Sequence, residues 1–183
     1  IYIAYPSNAA DAKGLLTASL RDDDPVIFCE HIIMYTMKGE VPPGDHCVPI
    51  GKAAITKKGK DVTLLGVSMT AVHALTAAQT LKKQNIDAEV IDLRTISPLD
   101  EETILESVKK TGRLVIADES NPLCGLASHI GGVVASQGFQ YLRAPVGMVT
   151  APHSPVPFSP VLEDAYLPNP EKIVASVKKV CSY

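Results

Sequence analysis

The chain has no excess of basic residues. Its formal net charge is −3 over 183 residues, so bulk electrostatics offers no face to nucleic acid. It also lacks any apolar run near the ~20 residues that a membrane-spanning helix needs. Its four cysteines, Cys29, Cys47, Cys124 and Cys181, include no Cys-x-x-Cys pair. They read as buried or incidental thiols of a reducing compartment, and the clustered Cys and His that zinc requires are missing. Tryptophan is absent and aromatic residues are few. Neither Gly-x-Gly-x-x-Gly nor a Walker A loop occurs, which excludes a complete dinucleotide or mononucleotide site. No two histidines have zincin spacing, and no serine sits in Gly-x-Ser-x-Gly.

What is present is an ordinary globular composition, 46% apolar and 20% charged. That suits one domain, or one domain plus a fragment of another. The chain opens on an apolar strand, Ile1–Tyr5, rather than on a charged and then apolar leader. A longer protein is therefore expected upstream. Asn8 or Ser7 caps a helix over about Ala9–Leu20, with Ala12, Leu15, Leu16, Ser19 and Leu20 at helical spacing. Pro25–Cys29 reads as a buried parallel strand. Periodicity then disappears, and Gly and Pro crowd the stretch Glu30–Ile50, as in a surface linker.

From Gly51 the pattern alternates. Strands are expected at Asp61–Val67, Ala88–Leu93, Arg113–Ala117 and Val146–Thr150. Helices are expected at Met69–Lys83, from the Asp100 cap to Lys110, at Leu126–Ala135 and at Pro170–Val180, with Gly112 as a helix stop. Alternation of this kind implies βαβ units and a mostly parallel sheet covered on both faces. Between Pro152 and Pro160 lie four prolines and His153, a rigid segment that can be neither helix nor inner strand.

Four features invite chemistry. Arg21-Asp-Asp-Asp24 ends a helix, where orphan carbonyls could ligate a hard cation, although a solvated charged turn is the simpler reading. Asp118-Glu-Ser-Asn-Pro122 sits at the ligand-facing end of a strand, but its carboxylates could equally cap the next helix or face a neighbouring subunit. His31 and His153 lie in irregular segments and are the better site candidates, while His73 and His129 read as structural. Gly131 and Gly132 in a helix suggest close packing of another element.

Several stretches together resemble a known family: Tyr5-Pro-Ser-Asn-Ala-Ala-Asp-Ala-Lys-Gly-Leu15, Arg21–Ile27, Pro49-Ile-Gly-Lys-Ala53, Ala88-Glu-Val-Ile-Asp-Leu-Arg-Thr-Ile-Ser-Pro-Leu-Asp100 and Leu162-Glu-Asp-Ala-Tyr-Leu-Pro168. In this order they look like the carboxyl-terminal part of beta subunits of thiamine-diphosphate-dependent 2-oxo acid and acetoin dehydrogenases. Asp118–Pro122 and Thr150–Phe158 look most like the acetoin type. Pyruvate or branched-chain 2-oxo acid subunits are the alternative, and a purely non-catalytic interaction domain is a reading from another class. A transketolase-like or deoxyxylulose-phosphate-synthase-like enzyme fits the same fold but has a different carboxyl-terminal sequence.

The resemblance implies an α/β fold in two parts. Residues 1–50 would end a pyrimidine-binding domain and its linker, and residues 51–183 would form a transketolase C-terminal-like domain. It implies thiamine diphosphate shared with an alpha subunit that also holds magnesium. It also implies an α2β2 assembly with a second beta subunit, and docking of a lipoyl acyltransferase core, with Glu163, Asp164 and Tyr183 as contributors. The family's activating glutamate and active-site histidine fall upstream of residue 1, so no catalytic or cofactor-binding residue is assigned here and no turnover is expected of this chain alone. By the same match, potassium would be held by the carbonyls of Ser19, Leu20, Asp22 and Asp24. Partners do not include nucleic acid or a membrane. The cytoplasm is the expected compartment, with the mitochondrial matrix as the alternative.

Overall fold

The computed structural model describes residues 1–183. The first segment contributes β1 (Tyr2–Ala4), α1 (Ala9–Arg21) and β2 (Val26–Phe28), followed by a 3-10 turn at Ile32–Thr36. The remainder runs β3 (Ala54–Lys57), β4 (Val62–Gly66), α2 (Met69–Lys82), β5 (Ala88–Asp92), β6 (Thr95–Ser97), α3 (Glu101–Thr111), β7 (Leu114–Asp118), α4 (Leu126–Gln137), β8 (Gly147–Thr150), α5 (Pro160–Tyr166) and α6 (Pro170–Cys181). No helix is long and apolar enough to cross a membrane.

Five strands form the main sheet in the order β3-β5-β4-β7-β8, all parallel except the antiparallel edge β3. Successive side chains of a strand face opposite ways, and the sequence uses this on both faces. Val62 and Leu64 of β4 pack with Ala74, Ala78 and Leu81 of α2 and with Ile173 and Val177 of α6. Leu65 and Ile116 pack with Ile104 and Val108 of α3 and Ile130 and Val134 of α4.

A cluster of polar residues on the α3 face is buried. The Glu89 carboxylate accepts from Ser107 Oγ at 2.6 Å and pairs with Lys110. Thr63 Oγ1 lies 2.7 Å from Ser107 Oγ and 2.8 Å from Thr111 Oγ1. Every member has a partner, as a buried polar network requires.

The helix signals in the sequence operate as written. Asp100 accepts from the Thr103 N–H at 3.2 Å and from the Ala53 N–H at 3.0 Å. Burial pushes its carboxyl up, but these bonds, the Thr103 hydroxyl and Lys52 outweigh that and hold it below the usual range. Gly112, at φ 72°, stops α3 in the left-handed conformation that glycine adopts without strain.

Three expectations need correction. Pro25–Cys29 does pair in parallel with β1, but it is not buried: Ile27 is half exposed at the sheet edge. Leu16 and Leu20 of α1 face outward, and only Leu15 of that stripe is buried, together with Asp11 and Gly14. Of the glycine pair, only Gly131 meets another element closely. A Cβ there would lie 2.8 Å from Met148 Cε, whereas one on Gly132 would meet open space. Short β3 and β6 were not foreseen, nor was α5, because the proline segment masked it. α5 starts on Pro160 in its first turn, where a missing N–H costs nothing.

The second sheet joins the two segments. Its order is β2-β1-β6, with β6 antiparallel to β1. Tyr5 N–H donates to the Arg94 carbonyl at 2.7 Å. Arg94 forms a fork onto Asp11 of α1, Nε to Oδ2 at 2.9 Å and Nη2 to Oδ1 at 2.7 Å. Asp92, fully buried, accepts from the Ser7 hydroxyl and from the Arg94 N–H at 3.1 Å. The linker crosses α1 at Gly14, where Val48 N–H donates to the Gly14 carbonyl at 3.0 Å. A Cβ on Gly14 would sit 2.4 Å from Val48 Cγ2, so only glycine lets the strap lie this close.

Candidate functional site

The parallel strands of both sheets end at the same seam. In α/β folds ligands bind outside the carboxyl ends of strands, because loops and helix N-termini converge there. Tyr5 follows β1, Cys29 to His31 follow β2, Ser68 follows β4, and Asp118 ends β7, with Glu119 and Ser120 beyond it. Ser68 adopts φ 51°, so the chain reverses into α2 directly after β4. Gly66 makes room for this turn, since a Cβ there would lie 2.6 Å from the Ala71 nitrogen. Ser68 Oγ lies 3.4 Å from Met34 Sδ, which brings the 3-10 turn of the first segment onto the second.

At the centre of the seam His31 Nε2 lies 3.3 Å from Glu119 Oε2. The opposite ring nitrogen, Nδ1, is buried without a partner, as is His73 Nδ1 on α2. Burial pushes His73 below its ordinary value, and His31 adds to this, against weaker opposing effects of Glu119, the Pro168 carbonyl and Glu171. His73 is therefore neutral near pH 7. Burial pushes the Tyr5 hydroxyl up, and the neighbouring Glu119, Cys29 and Asp118 add to it. Tyr5, Val67, Glu119, Cys124 and Gly125 line a cleft of ≈ 370 Å³.

Asp118 and Glu119 have separate tasks. Asp118 is buried and accepts from Ser120 N–H at 3.0 Å, Ser120 Oγ at 2.6 Å and the Ala127 N–H at 3.1 Å. Ala127 is in the first turn of α4, so Asp118 satisfies a helix N-terminal donor from the neighbouring strand. Only Glu119 faces the histidine.

The other candidates lie elsewhere. His153 is exposed in the proline segment. That segment is fastened by the Tyr166 hydroxyl of α5, which donates to the Pro152 carbonyl at 3.2 Å and the Ser154 carbonyl at 2.9 Å. The last carbonyls of α5 are met by Lys172 Nζ, 2.6 Å from Ala165 O and 2.6 Å from Leu167 O. Glu163 and Asp164 are exposed on α5. At the end of α1 the Asp22 N–H closes the helix on Ala18 O at 3.1 Å. Beyond it, Asp24 N–H donates to Asp22 Oδ1 at 2.9 Å. The carbonyls of Ser19, Leu20, Asp22 and Asp24 accept no backbone N–H. The neighbouring Tyr2 hydroxyl is pushed up by its hydrogen bond to Asp24 and by the charges of Asp24 and Asp22.

The seam owes its position to a five-stranded, largely parallel sheet with helices on both faces. Residues 51–173 match the family model for the transketolase C-terminal domain. The chain belongs to this family. It is 50% identical over 177 residues to the beta subunit of acetoin:2,6-dichlorophenolindophenol oxidoreductase of Cupriavidus necator, covering 97% of this chain and 52% of that protein. To the Bacillus subtilis subunit of the same name it is 54% identical over 170 residues, covering 93% of this chain and 50% of that one. The pyruvate dehydrogenase E1 beta subunit of Rickettsia felis is 44% identical, with 99% and 56% covered. The chain thus spans about half the length of the curated relatives it matches. Among solved structures, a split gene transketolase in an inactive beta4 tetramer superimposes with a TM-score of 0.83 at 27% identity, covering 99% of this chain and 58% of that one.

The motifs that resembled dehydrogenase beta subunits now have physical roles. Asp11 and Arg94 clamp the two segments, Gly14 admits the Val48 strap, Glu89 fills the α3 network and Tyr166 ties the proline segment. Sequence reasoning missed Tyr5 and Ser68 as seam residues and read His73 as merely structural. A Gly-x-Ser step between a strand and a helix was the available signal for Ser68.

Proposed function

We propose that this chain is the carboxyl-terminal part of the beta subunit of a thiamine-diphosphate-dependent dehydrogenase complex whose substrate is acetoin. The observation that carries the reading is a difference in identity. It is 50% and 54% to the two acetoin oxidoreductase subunits, against 44% and 46% to pyruvate dehydrogenase subunits of Rickettsia felis and Rhizobium meliloti. A pyruvate complex is the second reading.

Residues up to Ile50 end the pyrimidine-binding domain in this proposal, and the rest is the assembly domain. An alpha subunit, a second beta subunit and a lipoyl acyltransferase core complete the complex, with exposed Glu163 and Asp164 and the Tyr183 terminus facing the core.

Thiamine diphosphate, when bound, supplies the carbon nucleophile and the electron sink of such reactions. The residues here do not fit its diphosphate and magnesium end, because no three His, Cys, Asp or Glu side chains converge as a metal-ligating group. No step is assigned to that end. The contribution of this chain is the rigid seam that borders the site.

With alpha subunit, thiamine diphosphate and magnesium, the full-length beta subunit is expected to turn over acetoin with a kcat/KM at least tenfold above that for pyruvate. The 183-residue chain in its place is expected to give no turnover. A preference for pyruvate would sink the acetoin reading.

The turn after α1 is proposed to hold potassium through the carbonyls of Ser19, Leu20, Asp22 and Asp24. Their freedom from backbone partners supports this, since hard cations take oxygen ligands. Potassium chloride at roughly ten times the dissociation constant is expected to add about 1.4 kcal/mol, a Tm rise of about 3–6 °C over sodium chloride at equal ionic strength. Equal Tm in the two salts would exclude the site.

A further inference from the structure

No residue of α5 is buried against the rest of this chain. A helix of 7 residues closes too few turns to stand on backbone hydrogen bonds alone, and helices in proteins are held mainly by a packed face. The contacts that hold α5 are polar and lie at its carboxyl end. They are the Tyr166 hydroxyl on the Pro152 and Ser154 carbonyls, and Lys172 on the Ala165 and Leu167 carbonyls. The apolar side chains are left in water. Val161 and Leu162 are more than half exposed, as is Val156 just before the helix, and Phe158 is fully exposed.

Apolar groups on a mobile tip could collapse onto the protein surface. Here Pro155, Pro157 and Pro160 fix the backbone around Val156 and Phe158, and Tyr166 ties the segment down. A surface set in advance loses little freedom when it is covered, which favours docking.

Charge indicates what covers it. Glu163 and Asp164 are exposed on the same helix, and neither is in an ion pair. Lys172 turns its ammonium onto carbonyls instead. A second copy docked on this surface about a two-fold axis would bring the carboxylates of both copies into one contact, and like charges brought together are unfavourable. An anionic lipid surface meets the same repulsion.

We propose that Val156, Phe158 and α5 dock a polypeptide other than this chain, one that offers an apolar pocket to the Phe158 ring and lysine or arginine to Glu163 and Asp164. Aromatic anchors carry a large share of interface energy, and a charged rim sets which partner fits. An alpha subunit and an acyltransferase core are the partners to test, and that choice rests on the assembly reading above.

In the full-length beta subunit, photoreactive benzoylphenylalanine takes the place of Phe158, alpha subunit and core are added, and the cross-linked residue is located by mass spectrometry. The expected product joins the Phe158 position to one of these partners, at an apolar site with lysine or arginine beside it. A product within one beta chain or between two, a site without basic neighbours, or no product overturns the proposal. Phe158→Ser and Glu163→Lys are each expected to weaken association with that partner by about tenfold or more. The Tm of free Phe158→Ser is expected to match the wild type, because the ring touches nothing in the fold. Added sodium chloride is expected to weaken the wild type more than the Glu163→Gln, Asp164→Gln double variant. Association unchanged in Phe158→Ser, or equal salt dependence in those two proteins, also overturns the proposal. If the wild-type beta subunit binds neither partner, the assembly reading fails by itself. Cross-linking in the source cells then decides. A product on a different polypeptide, at a basic-rimmed apolar site and abolished by Glu163→Lys, upholds the proposal, and any other result overturns it.

Discussion

Arg94→Ala is expected to destabilise the protein by about 3 kcal/mol, roughly 6–12 °C in Tm for a domain of this size. The guanidinium makes two charge-assisted bonds to Asp11 at 2.9 and 2.7 Å, and Asp11 is nearly fully buried. Removing the arginine leaves a buried carboxylate with only Asn8 side-chain and backbone-turn contacts nearby. Such an uncompensated charge costs more than the pair contributed. The backbone at Arg94 has φ 59°, and alanine bears that conformation about as poorly as arginine, so the change isolates the side chain. Asp11→Ala is expected to cost less, because Arg94 is partly exposed and can reach water. The double variant should lose well under the sum of the two single losses. Denaturant unfolding of the four proteins measures this, and strict additivity would show that the fork does not couple the segments.

Stability is expected to rise as pH falls from about 7 to about 4, through Asp92. Burial pushes its carboxyl up to about 6, and the nearby Asp11 charge adds to this. The Ser7 hydroxyl, the Arg94 N–H and the Arg94 charge only partly oppose it. The folded state therefore holds this proton more tightly than the unfolded chain, whose aspartates titrate near 3.8. Above pH 6 Asp92 is ionised in both states and the folded state bears the full penalty. Between about 6 and 3.8 the penalty is relieved, and below that the gain is complete. The difference is worth up to roughly 3 kcal/mol.

Asp92→Asn should remove this dependence and stabilise the protein at pH 7.5, because an amide can accept from Arg94 N–H and donate to Ser7 Oγ. Asp100 has the opposite sign, since its folded value is depressed. Its loss falls below pH 4, outside the Asp92 window. Unfolding curves at pH 7.5 and 5.0 for both proteins check this. A wild-type stability flat across the window would refute the assignment.

The regular elements were legible because each carries its cause locally. Asn8, Asp100 and Asn169 cap helices through their own side chains, and Gly112 stops one. The alternation of strands and helices from Gly51 onward specified a parallel sheet. The acidic end of β7 was legible as a functional place but not in its division of labour, since the roles of Asp118 and Glu119 depend on which of them reaches α4 and which reaches β2. The three-residue strand β6 gave no periodic signal, and it forms only because β1 offers it an edge.

Local chemistry thus determined the helices other than α5, the core strands and the α/β class, through capping, period and the turn propensities of Gly and Pro. The seam was decided by tertiary structure. His31 and Glu119 are 88 residues apart in sequence yet 3.3 Å apart in space. Asp11 and Arg94 are likewise joined across 83 positions. Contacts between residues this far apart depend on how two sheets are docked, and no local pattern in the chain encodes that docking. Only the packed fold brings the carboxyl ends of β1, β2, β4 and β7 to one place and gives their polar residues each other as neighbours.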